Sequence, residues 1–476
     1  MVARMTAQSG APSAAQTAQK HEQVLRWLKA EKGVTTGASL NKAGVGLVVD
    51  EALRPEQDIL SVPLTLCITP SSARKALSVD LEREGFGSGS GRVLVVLQIL
   101  YERALGRKSD KHALIESLVC LHDTNSSNAL ALWNDGEIAW LKGSSAYGEA
   151  KAERDGLQQE FALLKETVFS RKPEVFTEQD FSFELYQWAS SALDAMGFTL
   201  TLPEGTGLAL VPALHLVSQA ETGINCSKRV GRQGLFRTTP VASLVSSTRL
   251  EKGDPLVVAY EASDALELFV KRGVVANSGA LRQAVVLDFS LTDMDPFVDD
   301  KLDIVEQRGM QRDMLFTIAR DDVEQGVQEM IPFVRLMCLN VLDAYLLEAV
   351  FRSDVWGFME LPVSRTNEEL VCESVIACCQ ARLDDLCAAG GAALTENETQ
   401  SERRALAQQW VSGEKEVLEK IVAVMQEAED SLDTLEYYQE RRLRDLDLLR
   451  PVDESEIVDS GTAGVRRGTE AFDQYY

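Results

Sequence analysis

Tyr260 is the residue whose type and setting point most directly to chemistry. It closes an apolar strand, Leu256 to Ala259, that follows a Gly253-Asp254 turn. It precedes a short amphipathic helix with Leu266, Phe269 and Val270 on one side and Gly273 at its end. A tyrosine at the mouth of a buried strand buries its ring and offers its hydroxyl to a cleft. A second feature is the Gly44-Val45-Gly46 step, since glycine lets a backbone approach a ligand closely. His215 ends the apolar stretch Leu208 to Leu214 and reads as a polar residue closing a strand. It does not read as a general base, because no Cys or Ser partner is evident. The 4 histidines are scattered and the 8 cysteines form no pair of pairs, which leaves a metal centre without support. Most thiols sit in apolar helical contexts, as Cys338 does, and read as reduced and buried.

The elements that must position these residues change character along the chain. Residues 21–30 read as a short helix with Val24, Leu25, Trp27 and Leu28 as its apolar side. Strands follow at Val45–Val49, Ile59–Val62 and Leu66–Ile68, punctuated by Pro55 and Pro63. Residues 92–198 are mainly helical, with Val93, Val96, Leu97, Leu100 and Leu105 on one face, and Thr177 reads as an N-cap ahead of Phe181, Leu185 and Trp188. Strand character returns at Leu208–Leu214, Leu256–Ala259 and Ala284–Phe289. From Met314 to about Leu449 the chain reads as helix, with Ile331–Phe351 as a dense apolar segment. The charged side of the later helices reads as a solvated face.

A chain of 476 residues has room for two to four domains, and 45% hydrophobic with 25% charged residues is ordinary for a soluble globular protein. A net charge of −25 argues against binding along a phosphate backbone and favours a basic protein partner. The longest apolar run, Val93 to Leu100, is too short to span a bilayer, so neither nucleic acid nor membrane is expected as a partner. The first twenty residues lack Asp and Glu and read as a disordered tail, with a cleaved transit peptide as the alternative. The expected compartment is the cytoplasm, with plastid or nucleus as alternatives. Residues 451–476 are polar and read as a disordered tail.

The segment Leu250 to Asn277 resembles the C-terminal signature of the SET methyltransferase fold. It is most similar to the branch typified by the Rubisco large-subunit lysine methyltransferase and the actin histidine methyltransferase. Gly44-Val45-Gly46-Leu47 and Ser61-Val62-Pro63 resemble that branch's opening strands. Leu132–Gly143 and Phe176–Ala189 resemble segments of its helical insertion, and Pro362–Glu369 and Arg403–Leu418 resemble motifs of its C-terminal substrate-binding domain. The resemblance spans roughly residues 21–449. It implies an α+β chain: a SET fold of short twisted strands with a pseudoknot over 21–300, a helical insertion at 90–198, and a helical substrate-binding domain over 310–450. It further implies methyl transfer from S-adenosylmethionine to a lysine or histidine of a protein substrate. The amine must attack as a neutral group although free lysine has a pKa near 10.4, so burial and orienting hydroxyls are the needed tools.

By the same resemblance Tyr260 takes the place of the catalytic tyrosine, and Gly44, Val45, Gly46, Ser218 and Gln219 take places that contact the cofactor. The chain also departs from the pattern. The family's second tyrosine falls on Arg272 and its cofactor-holding arginine on Met196. An Asp, an Asn and a His of the family fall on His215, Ser218 and Gln219. Two readings follow. One is a divergent S-adenosylmethionine-dependent methyltransferase; the other is a SET-fold protein that has lost the cofactor and serves as a protein-binding scaffold.

Overall fold

Short apolar runs broken by glycine and proline give short strands, and each strand buries one face. In Phe198–Leu202 burial alternates strictly, so Phe198, Leu200 and Leu202 enter the core while Thr199 and Thr201 face out. The computed structural model describes residues 14–446 and 448, except 88, 123–126, 234–237, 277–280, 349–350, 352–353 and 389–397. The expected tail at 451–476, most of the N-terminal tail and Asn277 therefore lie outside the described residues.

The described parts of 1–286, 317–323 and 379–420 form one compact unit, and those of 287–316, 324–378 and 421–476 a second. In the first unit four antiparallel strands lie in the order Thr35–Thr36, Asp58–Pro63, Thr239–Ser246, Cys226–Gln233. Ser61 stands opposite Ser243 in this sheet, and their hydroxyls bond at 2.7 Å inside it. Ala38–Leu40 pairs with Leu47–Val49, and Phe198–Leu202 with Gly205–Ala209, both antiparallel. Ser218–Ala220 and Val257–Ala259 instead run parallel. Val24, Leu25 and Leu28 of the helix Ala14–Ala30 pack into the core between these strands. A second core is helical, built from Ser90–Leu105, Ser145–Thr167 and Phe183–Met196. The long apolar run of the first of these is buried on nearly all sides, as a helix that is hydrophobic all round must be. Its neighbour Phe183–Met196 is capped by Ser182, whose hydroxyl accepts from Leu185 N–H. Thr177 instead accepts from Asp180 N–H, one turn too early to start that helix.

In the second unit Lys301, on the helix Val298–Gln307, is fully buried. It survives there because Asp295 pairs with it at 2.5 Å and the carbonyls of Met337 and Leu339 accept from it. Arg335 grips Glu368 through two nitrogens at 2.8 Å. Helix was expected from Met314, but Asp313–Ala319 is a strand paired with Ala284–Ser290, and helix begins only at Val323. Met, Leu, Phe and Ile at these positions suit either form, and a partner strand decides. That helix ends at Cys338, short of the expected Phe351, because the Asn340 side chain accepts Leu342 N–H and turns the chain.

The helix that follows Tyr260, Ala265–Arg272, starts on Asp264, which accepts Glu267 N–H at 2.8 Å, and ends on Gly273. Its inner side carries Phe269, stacked on Trp410 at 4.7 Å between ring centres. Gly273 has φ +65°, and a Cβ there would stand 2.1 Å from the carbonyl oxygen of Asn128. No L-residue fits without moving that backbone. Gly273→Ala is therefore expected to cost about 2–4 kcal/mol, the sum of left-handed strain and overpacking, measured as a lower denaturant midpoint.

Candidate active site

The parallel pair fixes the site. Val257 stands opposite Ser218, Val258 opposite Gln219 and Ala259 opposite Ala220, so Tyr260 leaves its strand beside the end of the other. The Gly44–Gly46 loop closes on the start of the same pair. At Gly46, φ +90°, a Cβ would lie 3.2 Å from Ser218 Oγ and 3.2 Å from Asn41 Nδ2. The loop itself is held from within. Val45 N–H donates to Asn41 Oδ1 at 3.1 Å, and Asn41 Nδ2 donates back to the Val45 carbonyl. Gly44 packs on Ala18, and its carbonyl accepts from His21 Nδ1 at 2.7 Å. Val45 points its side chain outward, 46% exposed. The structure thus brings Gly46, Ser218, Gln219 and Tyr260 together, with Gly44 and Val45 shaping the loop behind them.

Arg272 enters the same place from the last turn of its helix. Its Nη1 donates to the Ala195 carbonyl at 3.0 Å and to Gln219 Oε1. Gln219 Nε2 donates to the same carbonyl at 3.3 Å, which closes a three-way knot of Arg272, Gln219 and Ala195. Burial pushes the Tyr260 hydroxyl pKa up and Glu221 adds to the rise, while the Arg272 guanidinium pulls it back. The residue after Tyr260 is pinned as well. One Glu261 oxygen accepts Thr199 N–H at 2.6 Å and the other pairs with Lys228. Lys228 also lies 4.6 Å over the Phe198 ring. Burial, with Arg272 nearby, brings the Lys228 amine down to about 8. Sequence reasoning did not single out Lys228 or Glu261. The only available signal was an acid directly after Tyr260 and a lysine on an alternating strand, and nothing local pairs residues 33 apart.

Met196 packs against the helical core. His215 is buried, with Nε2 2.9 Å from Ser117 Oγ. Both partners are sealed from solvent, so this serine–histidine contact is structural. His122 makes a similar buried contact with Ser191 at 2.9 Å. Among the described residues no group of three or more His, Cys, Asp or Glu could hold a metal ion, and no helix is long and apolar enough to cross a membrane.

Residues 292–418 match the Rubisco LSMT substrate-binding family model. The chain is 30% identical over 436 residues to a chloroplastic ribulose-1,5 bisphosphate carboxylase/oxygenase large subunit N-methyltransferase of Nicotiana tabacum, covering 89% of this chain and 85% of the relative. It is 29% identical over 434 residues to a chloroplastic [fructose-bisphosphate aldolase]-lysine N-methyltransferase of Arabidopsis thaliana, covering 89% and 86%. A solved Rubisco LSMT bound to sinefungin and monomethyllysine superimposes with a TM-score of 0.69 at 26% identity, covering 92% of this chain and 98% of that one. One bound to AdoMet does so with a TM-score of 0.67. The fold is that of an α+β SET-fold protein N-methyltransferase with a substrate-binding domain, the class that moves a methyl group from S-adenosylmethionine to protein nitrogen. Within that class, the chain belongs to the Rubisco LSMT family.

The residues present suit that cofactor. S-adenosylmethionine carries an adenosine, a sulfonium and an amino-acid head. At Gly46 the bare backbone passes Ser218 Oγ and Asn41 Nδ2 where a Cβ would crowd both, and Gln219, Tyr260 and Arg272 set polar groups along the adjoining parallel pair.

The buried histidines give the first unit an acid sensitivity. Burial and the nearby His21 lower the His215 pKa to about 3, and burial lowers that of His122 to about 4. Each folded ring stays neutral while the unfolded chain takes up a proton below about 6.5. Stability present above that pH is lost as pH falls toward the folded values. Between pH 7 and 5, His215→Gln is expected to lose about 2 kcal/mol less than the parent, read from urea midpoints at the two pH values.

Proposed function

We propose that this protein transfers the methyl group of S-adenosylmethionine to the ε-amine of a lysine on a basic protein surface. Tyr260 is the catalytic residue, and Gly44, Val45, Gly46, Ser218 and Gln219 form the cofactor side. The observation that carries this reading is the parallel register that sets Tyr260 at the end of the strand bearing Ser218 and Gln219, with Gly46 against Ser218. The cofactor, when bound, supplies an electrophilic methyl group on sulfur. This chain's own residues do the rest. The half-buried Tyr260 hydroxyl, held un-ionised by its surroundings, orients the lone pair of the incoming amine. Partial exclusion of water favours the neutral amine that must attack. Glu261, fixed by Thr199 and Lys228, keeps the backbone after Tyr260 from swinging.

Lysine rather than histidine is favoured because the similar solved structures hold lysine or its methylated forms, and a curated relative is a lysine methyltransferase. The curated relatives are chloroplastic, which supports the plastid over the cytoplasm as the compartment. A net charge of −25 supports a basic substrate surface, with attraction that weakens as salt is added.

Tyr260→Phe keeps the ring and removes one positioned hydroxyl. Loss of a single such hydrogen bond is expected to lower kcat on the order of a hundredfold, with S-adenosylmethionine affinity and Tm nearly unchanged. Equal rates in the two forms would remove Tyr260 from the mechanism. A parent that neither binds S-adenosylmethionine by calorimetry nor methylates any protein of a plastid lysate would decide for the scaffold.

A further inference from the structure

We infer that Arg272 is the residue that receives the carboxylate of the cofactor's amino-acid head. This rests on the reading that the site binds S-adenosylmethionine. An anion taken into a partly buried site needs a cation or several N–H groups to meet it. The basic side chains on the elements beside Tyr260 are mostly taken. Lys228 is paired with Glu261, Lys271 with Glu267 at 2.9 Å, and Arg229 with Asp58 at 2.7 Å. Residue 196 is a methionine packed against the helical core and offers no charge. Arg272 differs from all of these. It pairs with no carboxylate among the described residues; its hydrogen bonds go to a backbone carbonyl and a side-chain amide.

Those bonds leave from one nitrogen, Nη1, so the rest of the guanidinium fork remains for a planar two-oxygen partner. The anchors are also the right ones for aim. Ala195 lies in the last turn of the helix that leads into Phe198–Leu202, and Gln219 lies on the strand parallel to the one that delivers Tyr260. Arg272 is thus held between the strand bearing Ser218 and Gln219 and the Tyr260 hydroxyl, whose pKa it lowers. The acids around it, Asp194 and Glu267, lie close enough to favour its charge yet are committed to Arg92 and Lys271. The result is a pre-oriented, partly desolvated guanidinium that pairs with no described carboxylate. In a chain that carries methionine at 196, the charge that holds the cofactor comes from the far end of the Tyr260 helix.

The test uses two ligands that differ in the amino-acid head, titrated by calorimetry into the full chain. S-adenosylmethionine carries the carboxylate; methylthioadenosine keeps the adenosine and its S-methyl group as a neutral thioether, without the amino-acid head. The parent is expected to prefer S-adenosylmethionine. Arg272→Met should weaken S-adenosylmethionine about ten- to a hundredfold, the worth of a charge-assisted pair, and leave methylthioadenosine within about twofold. Arg272→Lys, which keeps the charge and loses the fork, should fall between them. It also serves if the methionine variant fails to fold, as judged by its melt without ligand. Unchanged S-adenosylmethionine binding in a folded variant overturns the inference, as does equal weakening of both ligands. A parent that binds methylthioadenosine as tightly as S-adenosylmethionine overturns it while leaving the cofactor reading intact. A parent that binds neither overturns both.

Discussion

The site depends on one short parallel ladder. Ser218–Ala220 and Val257–Ala259 share only three residue pairs, yet they bring Gln219 and Tyr260 to one edge across almost forty residues of intervening chain. Parallel pairing cannot be made by a tight turn, so the connection must travel. Here it travels through the antiparallel strands Cys226–Gln233 and Thr239–Ser246, which are themselves locked to Asp58–Pro63. A ladder so short holds its register through its surroundings. Asn225 does part of this: its side chain accepts Val257 N–H and donates to the Pro255 carbonyl, while its N–H donates to the Val257 carbonyl. A slip of one residue would turn Val258 out of the core and swing Tyr260 to the other face.

Around that ladder the polar residues are bound in closed groups. Arg272 with Gln219 and Ala195, Lys228 with Glu261 and Thr199, and His21 with Gly44 each tie a separate element to the site. In a half-buried setting such groups are costly to break, because a lost partner leaves a desolvated polar atom. The same groups explain why the altered family positions remain compatible with a formed site. By the resemblance His215 falls where the family has an acid, and inside the core its Nε2 meets Ser117 Oγ at 2.9 Å. Gln219 stands where the family has a histidine, and Arg272 bonds to it directly. Substitutions that look like separate losses along the sequence are in part a repacking in which new partners meet.

Much of this was legible in the sequence. The strand before Tyr260, its helix and Gly273 followed from an apolar run after a turn, helical periodicity and a closing glycine. The helical stretch through residues 92–198 followed from its apolar faces. The order of these segments carried the family resemblance that the relatives later matched. Other features were not legible. Asp313–Ala319 became a strand because Ala284–Ser290 pairs with it, and Ser182 rather than Thr177 capped its helix because the turn geometry placed it there.

The sequence by itself determined which residues sit at strand ends, which faces are apolar and which family positions had changed, because these depend on neighbours a few residues apart. It could not decide what Arg272 does. In sequence, by the resemblance, it stood as a cation in a tyrosine's place. Only the tertiary structure set it against Ala195 and Gln219, 77 and 53 residues away, with its fork unpaired by any described carboxylate. The reason is physical: a charge is attractive or repulsive according to what stands within a few ångströms of it. Folding alone decides those distances.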